Sequence, residues 1–371
     1  MTQQLEFETA FSGGNGHSFT QVGEQHYAFE ADLRGGERGL WFCFRVAGGA
    51  GEAVTFDLVN AGRLLGWPQF AGMRPVFGGP GRWQRTVSAA QVLQDAGIVR
   101  FSAPCLPGDY VAFCYPYTLC ELDAFRQAYV EGGVVHEVEL IRSPAGHPVY
   151  AWEAGSGPQG VWLTCRNHAG EAPASYVLEG LMLELAEPRH RPFLEQATVR
   201  VCPMVDVDNV ESGGYGKYGP PCDPYMDWSD QPQLRVIAAL QRYFAAAAER
   251  PDVYVDLHSP EPCGSTFACT WAENQVSSAY LQRVNDLCRA IHEQSRHPLK
   301  LDLARTQGYP QWFGDAIDRS SQGYCRKRYG CPAITLEVSY HWSSSGLYPQ
   351  PDDYQEFGRA LCRALQETIA A

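Results

Sequence analysis

The sequence predicts an α/β protein in two parts. An antiparallel β-sandwich spans residues 1–118, and a mixed, largely parallel α/β domain spans residues 119–371. Three observations predict this. Short strand-like runs separated by Gly-rich turns fill the first part. No long helical period occurs before Leu119. Beyond it, continuous apolar runs alternate with amphipathic stretches, the pattern of a sheet covered by helices.

In chain order, strands are expected at His26–Leu33, Leu40–Val46 and Ala53–Val59. Turn signals follow at Gly35-Gly36, Gly48-Gly49 and Gly78-Gly79-Pro80-Gly81. A helical period runs from Leu119 to Tyr129. Further strands are expected at Gly160–Cys165, Val199–Val205, Val253–Leu257 and Ala333–Val338. Helices are expected at Ala172–Glu187, Gln233–Glu249, Ser278–Gln294 and Tyr354–Ala370. The stretch Glu211–Gln231 reads as a long loop rich in Gly, Pro and Tyr, and loops of that length usually carry function or are disordered.

Composition narrows the function. The chain has 371 residues, 45% apolar and 19% charged, which suits a folded globular protein and not a disordered one. With 29 Lys+Arg against 42 Asp+Glu the net charge is −13, so nucleic acid and anionic membrane are poor partners. No apolar run reaches the roughly 18 residues of a membrane span. The start, Met1-Thr-Gln-Gln-Leu-Glu-Phe-Glu, lacks the basic and apolar regions of a signal peptide, so a cytoplasmic location is expected. Thirteen cysteines contain no CxxC; the pairs Cys114/Cys120, Cys263/Cys269 and Cys325/Cys331 are spaced for disulfides, but buried, reduced thiols are expected in that compartment.

Two motifs fall away. Gly155-Ser-Gly-Pro-Gln-Gly160 matches GxGxxG but leads into a strand, so it lacks the helix N-terminus that binds pyrophosphate and reads as a hairpin turn. His292-Glu-Gln-Ser-Arg-His297 nearly matches HExxH, but its histidines lie roughly 140° apart around a helix.

One constellation survives. His168-Ala-Gly-Glu171 follows the strand ending at Cys165, His258 ends the strand Val253–Leu257, and Glu337 lies on the strand Ala333–Val338. Active sites of such sheets gather just beyond strand carboxyl ends. Two imidazoles and a carboxylate form a three-ligand zinc set with an open fourth position. Such a metal acidifies water and polarises a carbonyl, and a neighbouring carboxylate is the natural general base. Singly, each residue has a bland alternative: a helix cap, a strand-end histidine, a salt-bridged glutamate. Asp256 shares the side of His258 and is placed either to orient it or to form a sheet salt bridge. Arg166 could polarise a scissile carbonyl or form a structural ion pair.

These motifs, in this order, resemble the zinc metallocarboxypeptidases, most closely their cytosolic carboxypeptidase-like branch. There a β-sandwich precedes the catalytic domain. The N-terminal part is similar in Trp41-Phe-Cys-Phe-Arg-Val, Gly72-Met-Arg-Pro75, Gly81-Arg-Trp83 and Phe113-Cys-Tyr-Pro-Tyr-Thr118. The resemblance implies His168, Glu171 and His258 as ligands of one Zn2+ per chain, with Glu337 as general base and proton shuttle.

The chain also departs from the family. Where the family has an oxyanion-stabilising arginine, the aligned loop offers Gly216 and Lys217, a point charge and not a planar fork. Where the family has the Asn-Arg pair that clamps a terminal carboxylate, Asp223-Pro-Tyr-Met-Asp-Trp228 has Tyr225 and Met226. Hydrogen bonds to charged groups are worth roughly 1.5 to 3 kcal/mol, so the loss costs on the order of 10- to 100-fold in binding a free C-terminus. Lys217, Arg305 or the cluster Arg326-Lys-Arg328 could replace the clamp. The family's capping tyrosine is not placed by the resemblance; Tyr309 and Tyr324 lie upstream of Glu337, but the sequence around them does not align with the family's.

The expected function is therefore a carboxypeptidase-like zinc hydrolase of a peptide or amide bond, acting on a peptide or an acylated amino acid. Two rivals stand beside it: a deacylase or amidase whose substrate presents no C-terminal carboxylate, and a zinc-binding homologue without activity. A third reading makes the sandwich a recognition module, with Trp67 or Trp83 on its surface.

Overall fold

The computed structural model describes residues 4–64, 69–259, 264–308, 316–342 and 345–370. Trp67, Cys263 and Tyr309 lie outside these residues. The N-terminal part contains β1 (Glu6–Glu8), β2 (His17–Gly23), β3 (His26–Glu30), β4 (Cys43–Gly48), β5 (Gly51–Leu58), β6 (Val76–Gly78), β7 (Gln84–Arg85), β8 (Gln91–Leu93), β9 (Ile98–Cys105) and β10 (Tyr110–Ala112). They form two sheets, ordered β1-β4-β10-β6-β7 and β2-β3-β5-β9-β8. Pairing is antiparallel except between β3 and β5, where His26–Phe29 run parallel to Thr55–Leu58.

Alternation explains the packing. In β9, Val99, Phe101, Ala103 and Cys105 turn inward while the residues between them are more exposed. Phe29, Phe42, Phe44, Phe56 and Phe101 meet between the sheets with ring centroids 5.2 to 6.4 Å apart. Trp83 is half-buried against Tyr110 at 6.0 Å, so it packs instead of presenting a surface aromatic.

The second part opens with α1 (Leu119–Glu131), started by a capping box of Thr118 and Glu121. There follow β11 (His136–Arg142), β12 (Pro148–Gly155), β13 (Gln159–Cys165), α2 (Pro173–Leu185), α3 (Arg191–Gln196), β14 (Ala197–Cys202) and α4 (Val207–Ser212). Then come α5 (Arg235–Ala246), β15 (Pro251–His258), β16 (Phe267–Thr270), α6 (Ser278–Gln294), β17 (Gln307–Gly308), α7 (Ser321–Tyr329), β18 (Ala333–Glu337) and α8 (Pro351–Ala370). The sheet order is β11-β12-β14-β13-β15-β18-β16-β17. Its centre, β14-β13-β15-β18, is parallel, and antiparallel pairs flank it.

The sequence reading requires one topological correction. Gly155–Gly160 is not a hairpin turn, because β14 lies between β12 and β13. Its glycines permit close approach: a Cβ on Gly157 would stand 1.8 Å from the Gln196 carbonyl carbon. The strand expected at Val199–Val205 ends at Cys202, where the chain turns toward α4.

Helices cover both faces of this sheet. On one, α2 and α8 touch backbone to backbone through Gly180 and Gly358. On the other, Trp162 of β13 stacks on Phe244 of α5 at 4.4 Å and meets Tyr329 of α7 at 5.1 Å. One continuous buried core joins the sandwich to this domain. All twelve described cysteines are free thiols.

Candidate active site

The parallel centre of the sheet brings its carboxyl ends together, and the four residues of the constellation gather there. The parallel register sets His258 of β15 directly beside Glu337 of β18. The loop after β13 delivers His168 and Glu171. It is shaped by Arg166, whose backbone takes a positive φ of 59°.

His168, Glu171 and His258 are buried, with ligand atoms within 4.8 Å of one another. Glu171 bridges the rings: Oε1 is 2.9 Å from His168 Nδ1, and Oε2 is 2.8 Å from His258 Nδ1. The two Nδ1 atoms are 3.1 Å apart. Tetrahedral zinc with Zn–N bonds of roughly 2.0 to 2.1 Å spaces its ligands about 3.3 Å apart, so the donor set fits that metal in type and spacing.

A carboxylate stands behind each histidine. Asp223 Oδ1 is 3.0 Å from His168 Nε2. Asp256 Oδ2 is 3.1 Å from His258 Nε2, at ion-pair distance. Asp256 is also held by Thr164, at 2.8 Å, and by Asn167, at 3.0 and 2.9 Å. Carboxylate–histidine pairs of this kind orient metal ligands and raise their basicity.

The charges form one network. Burial alone would raise the Glu171 carboxyl, but the two imidazoles hold it well below the carboxylate range. Burial opposes charge on both rings, yet their acidic neighbours raise His168 and raise His258 well above an ordinary histidine. Glu337 is raised by burial first, with Glu171 adding to it. Its Oε2 has no hydrogen-bond partner among the described residues.

The remaining candidates separate. Lys217 is half-buried beside the group, with Nζ 3.9 Å from Glu171 Oε1. Tyr225 is buried and packs its ring against His258 at 4.8 Å and His168 at 5.7 Å. Its hydroxyl lies 3.0 Å from Thr335 Oγ1, and Trp271 and Ile317 close round it. Arg166 is buried, and its contacts are with neighbouring oxygens. Its guanidinium donates to Ala169 O at 2.9 Å, Tyr117 O at 3.0 Å and Ser175 Oγ at 3.0 Å, so it pairs with no carboxylate among the described residues and braces its own loop. For Asp256, no lysine or arginine pairs with it among the described residues; its charged neighbour is His258.

Arg305 stacks on Phe267 at 4.3 Å. Arg326 and Lys327 pair with Asp318 at 2.9 and 2.8 Å. Tyr324 packs on Trp228 at 5.6 Å.

Sequence reasoning missed three groups at the site. Asp223 reads in the sequence only as part of the long loop Glu211–Gln231; there it caps a short turn, accepting from Tyr225 N at 2.9 Å. Tyr215 donates to Glu171 Oε1 at 3.3 Å, and the Tyr215 and Tyr340 hydroxyls are 3.5 Å apart. A buried tyrosine shows in sequence only as apolar content.

No family model matches the chain. An uncharacterized protein of Zymomonas mobilis is 26% identical over 98% of this chain and 97% of its own. Cytosolic carboxypeptidase 6 of Caenorhabditis elegans is 24% identical over 97% of this chain and 86% of its own. Cytosolic carboxypeptidase 2 of Danio rerio is 29% identical, but the match covers 57% of this chain and 34% of that protein. Among solved structures, a metallo-carboxypeptidase from Burkholderia cenocepacia superposes with a TM-score of 0.84 at 18% identity, covering 99% of each chain. A metallo-carboxypeptidase from Pseudomonas aeruginosa gives 0.86 at 18% identity, covering 98% of this chain and 99% of that one.

Proposed function

We propose that this member of the zinc carboxypeptidase family, related to its cytosolic branch, is a zinc-dependent hydrolase of a peptide or amide bond. The observation that carries the reading is the buried convergence of His168, Glu171 and His258 beside Glu337 at the end of β18.

One zinc per chain would be held by the two Nδ1 atoms and the Glu171 carboxylate. When bound, it supplies Lewis acidity that polarises a carbonyl oxygen and acidifies water. Glu337 takes the proton from the attacking water, and hands it to the nitrogen as the C–N bond breaks. A raised carboxyl suits both transfers. The Lys217 ammonium stabilises negative charge gathering on the carbonyl oxygen. Asp223 and Asp256 hold the rings with Nδ1 turned inward.

The substrate is a peptide or an acylated amino acid. Tyr225 favours a second reading within this class, an amidase or deacylase whose substrate presents no carboxylate there. It puts an aromatic ring beside Thr335, backed by Trp271 and Ile317, at the position in the sequence where the resemblance places the family's Asn-Arg clamp. The names of the relatives support a cytoplasmic location, and no helix among the described residues is long and apolar enough to cross a membrane.

The test is a mixed peptide library given to the zinc-loaded protein, half with free and half with amidated C-termini, read by mass spectrometry. Loss of single C-terminal residues from the free half alone makes it a carboxypeptidase with a relocated clamp. Cleavage of amidated peptides, or of N-acylated amino acids added to the mixture, selects the amidase reading. Cleavage of nothing contradicts both.

A further inference from the structure

The sandwich touches the segments that line the metal group. Asn15 is wholly buried between β1 and β2, its backbone paired with Cys43. Its Nδ2 donates to Asp32 O at 2.8 Å and crosses to Gly213 O at 2.7 Å, while its Oδ1 accepts from Asp32 N at 2.9 Å. Nearby, Gly13 N donates to Glu211 O at 2.8 Å. The backbones are so close that a Cβ on Gly213 would stand 2.2 Å from Gly14 O. Two residues beyond Gly213 lies Tyr215, whose ring covers Gly170 closely enough that a Cβ there would stand 2.2 Å from Cδ2.

A second brace acts on the segment after Glu337. Arg85 of β7 donates from Nη2 to Tyr340 O at 2.9 Å and to Pro349 O at 2.7 Å, and from Nη1 to His341 Nδ1 at 2.9 Å. Tyr340 in turn places its hydroxyl 3.5 Å from Tyr215 and from Gly170 O. Both braces therefore converge on Tyr215, Tyr340 and the Gly170-Glu171 backbone.

We infer that the sandwich tunes the metal group: Asn15 and Arg85 are positioning residues that hold the Tyr215 hydroxyl against Glu171, making it an outer partner of that ligand. This rests on reading His168, Glu171 and His258 as the metal ligands. Outer partners typically contribute 10- to 100-fold to metal affinity.

The experiment is zinc affinity of the full chain, by competition with a chromophoric chelator, with thermal melting in parallel. Tyr215→Phe keeps the ring and removes only the hydroxyl; it weakens zinc binding about 10-fold. Asn15→Ala does the same, and the double variant binds no more weakly than Asn15→Ala alone. Unchanged affinity in Tyr215→Phe overturns the inference. So does an Asn15→Ala that melts lower yet binds zinc normally, or a double variant in which the two losses multiply. Should Asn15→Ala fail to fold, Arg85→Lys, which loses the fork spanning Tyr340 and Pro349, carries the same expectation of weakened zinc, and normal affinity in it overturns the inference. A parent protein that binds no zinc overturns the functional reading itself, a result distinct from normal zinc binding in the variants.

Discussion

A carboxylate sealed between two imidazoles needs each ring to present one chosen nitrogen, and here a second carboxylate stands behind each ring. Replacing Asp223 with Asn keeps the shape and removes the charge behind His168. We expect zinc affinity to fall 10- to 100-fold while the melting profile of the folded chain changes little, by chelator competition; unchanged affinity would remove Asp223 from the site. At this scale the sequence was legible where residue type alone points to chemistry. His168, Glu171, His258 and Glu337 are of residue types that can bind a metal or move a proton, they were expected at strand ends, and the fold brings them together. Asp223 was not legible because its partner His168 lies 55 positions away and its local signal is a turn. For Arg166 a charged residue suggested an ion pair or a carbonyl contact, and the sequence carried no sign that its donors meet the backbone oxygens of Ala169 and Tyr117.

Among the elements, α2 and α8 show how a buried charge is held. Glu184 of α2 is wholly buried and contacts Arg189, His190, Arg359 and Arg363. Burial pushes its carboxyl up, but hydrogen bonds from Arg189, His190 and Arg363, with the charge of Arg363, outweigh it and hold it at about 2, against an ordinary 4.5. Because the folded value is depressed, the stabilisation is fully present above about 4.5 and is lost as pH falls toward about 2. Glu184→Gln is therefore expected to melt a few degrees below the parent at pH 7, with the gap closing through that acid window. A gap that stays constant with pH would mean the pairs contribute nothing. The long helices and central strands were readable from apolar periodicity, within a few residues at their ends. The hairpin β11–β12 and helix α7 were not expected. In α7, Ser321-Gln-Gly-Tyr-Cys-Arg-Lys-Arg-Tyr329 carries no apolar stripe, and its buried residues include Ser321, Gln322 and Gly323, held by tertiary contacts such as Gln322 to Ala333 O at 2.9 Å.

For the whole molecule, the two-part division was legible because the hydrophobic period changes at Leu119, but the strand order was not, since insertion of β14 between β12 and β13 leaves no local trace. We take residues 1–118 and 119–371 as two domains that share a core and do not act as an enzyme plus a detachable recognition module. Deleting residues 1–118 would bare the apolar face that the sandwich covers and strip the braces from Gly213 and Tyr340, so the remainder is expected to be insoluble. A soluble, fully active remainder would restore the module reading. The central claim is that these residues hydrolyse an amide bond with Glu337 moving the proton. It is tested most directly by turnover of a substrate from the library by parent and Glu337→Gln, each with its zinc content measured. We predict that the variant keeps its zinc and loses turnover by about 100- to 10,000-fold. A zinc-loaded Glu337→Gln that turns substrate over at the parent rate would contradict the account.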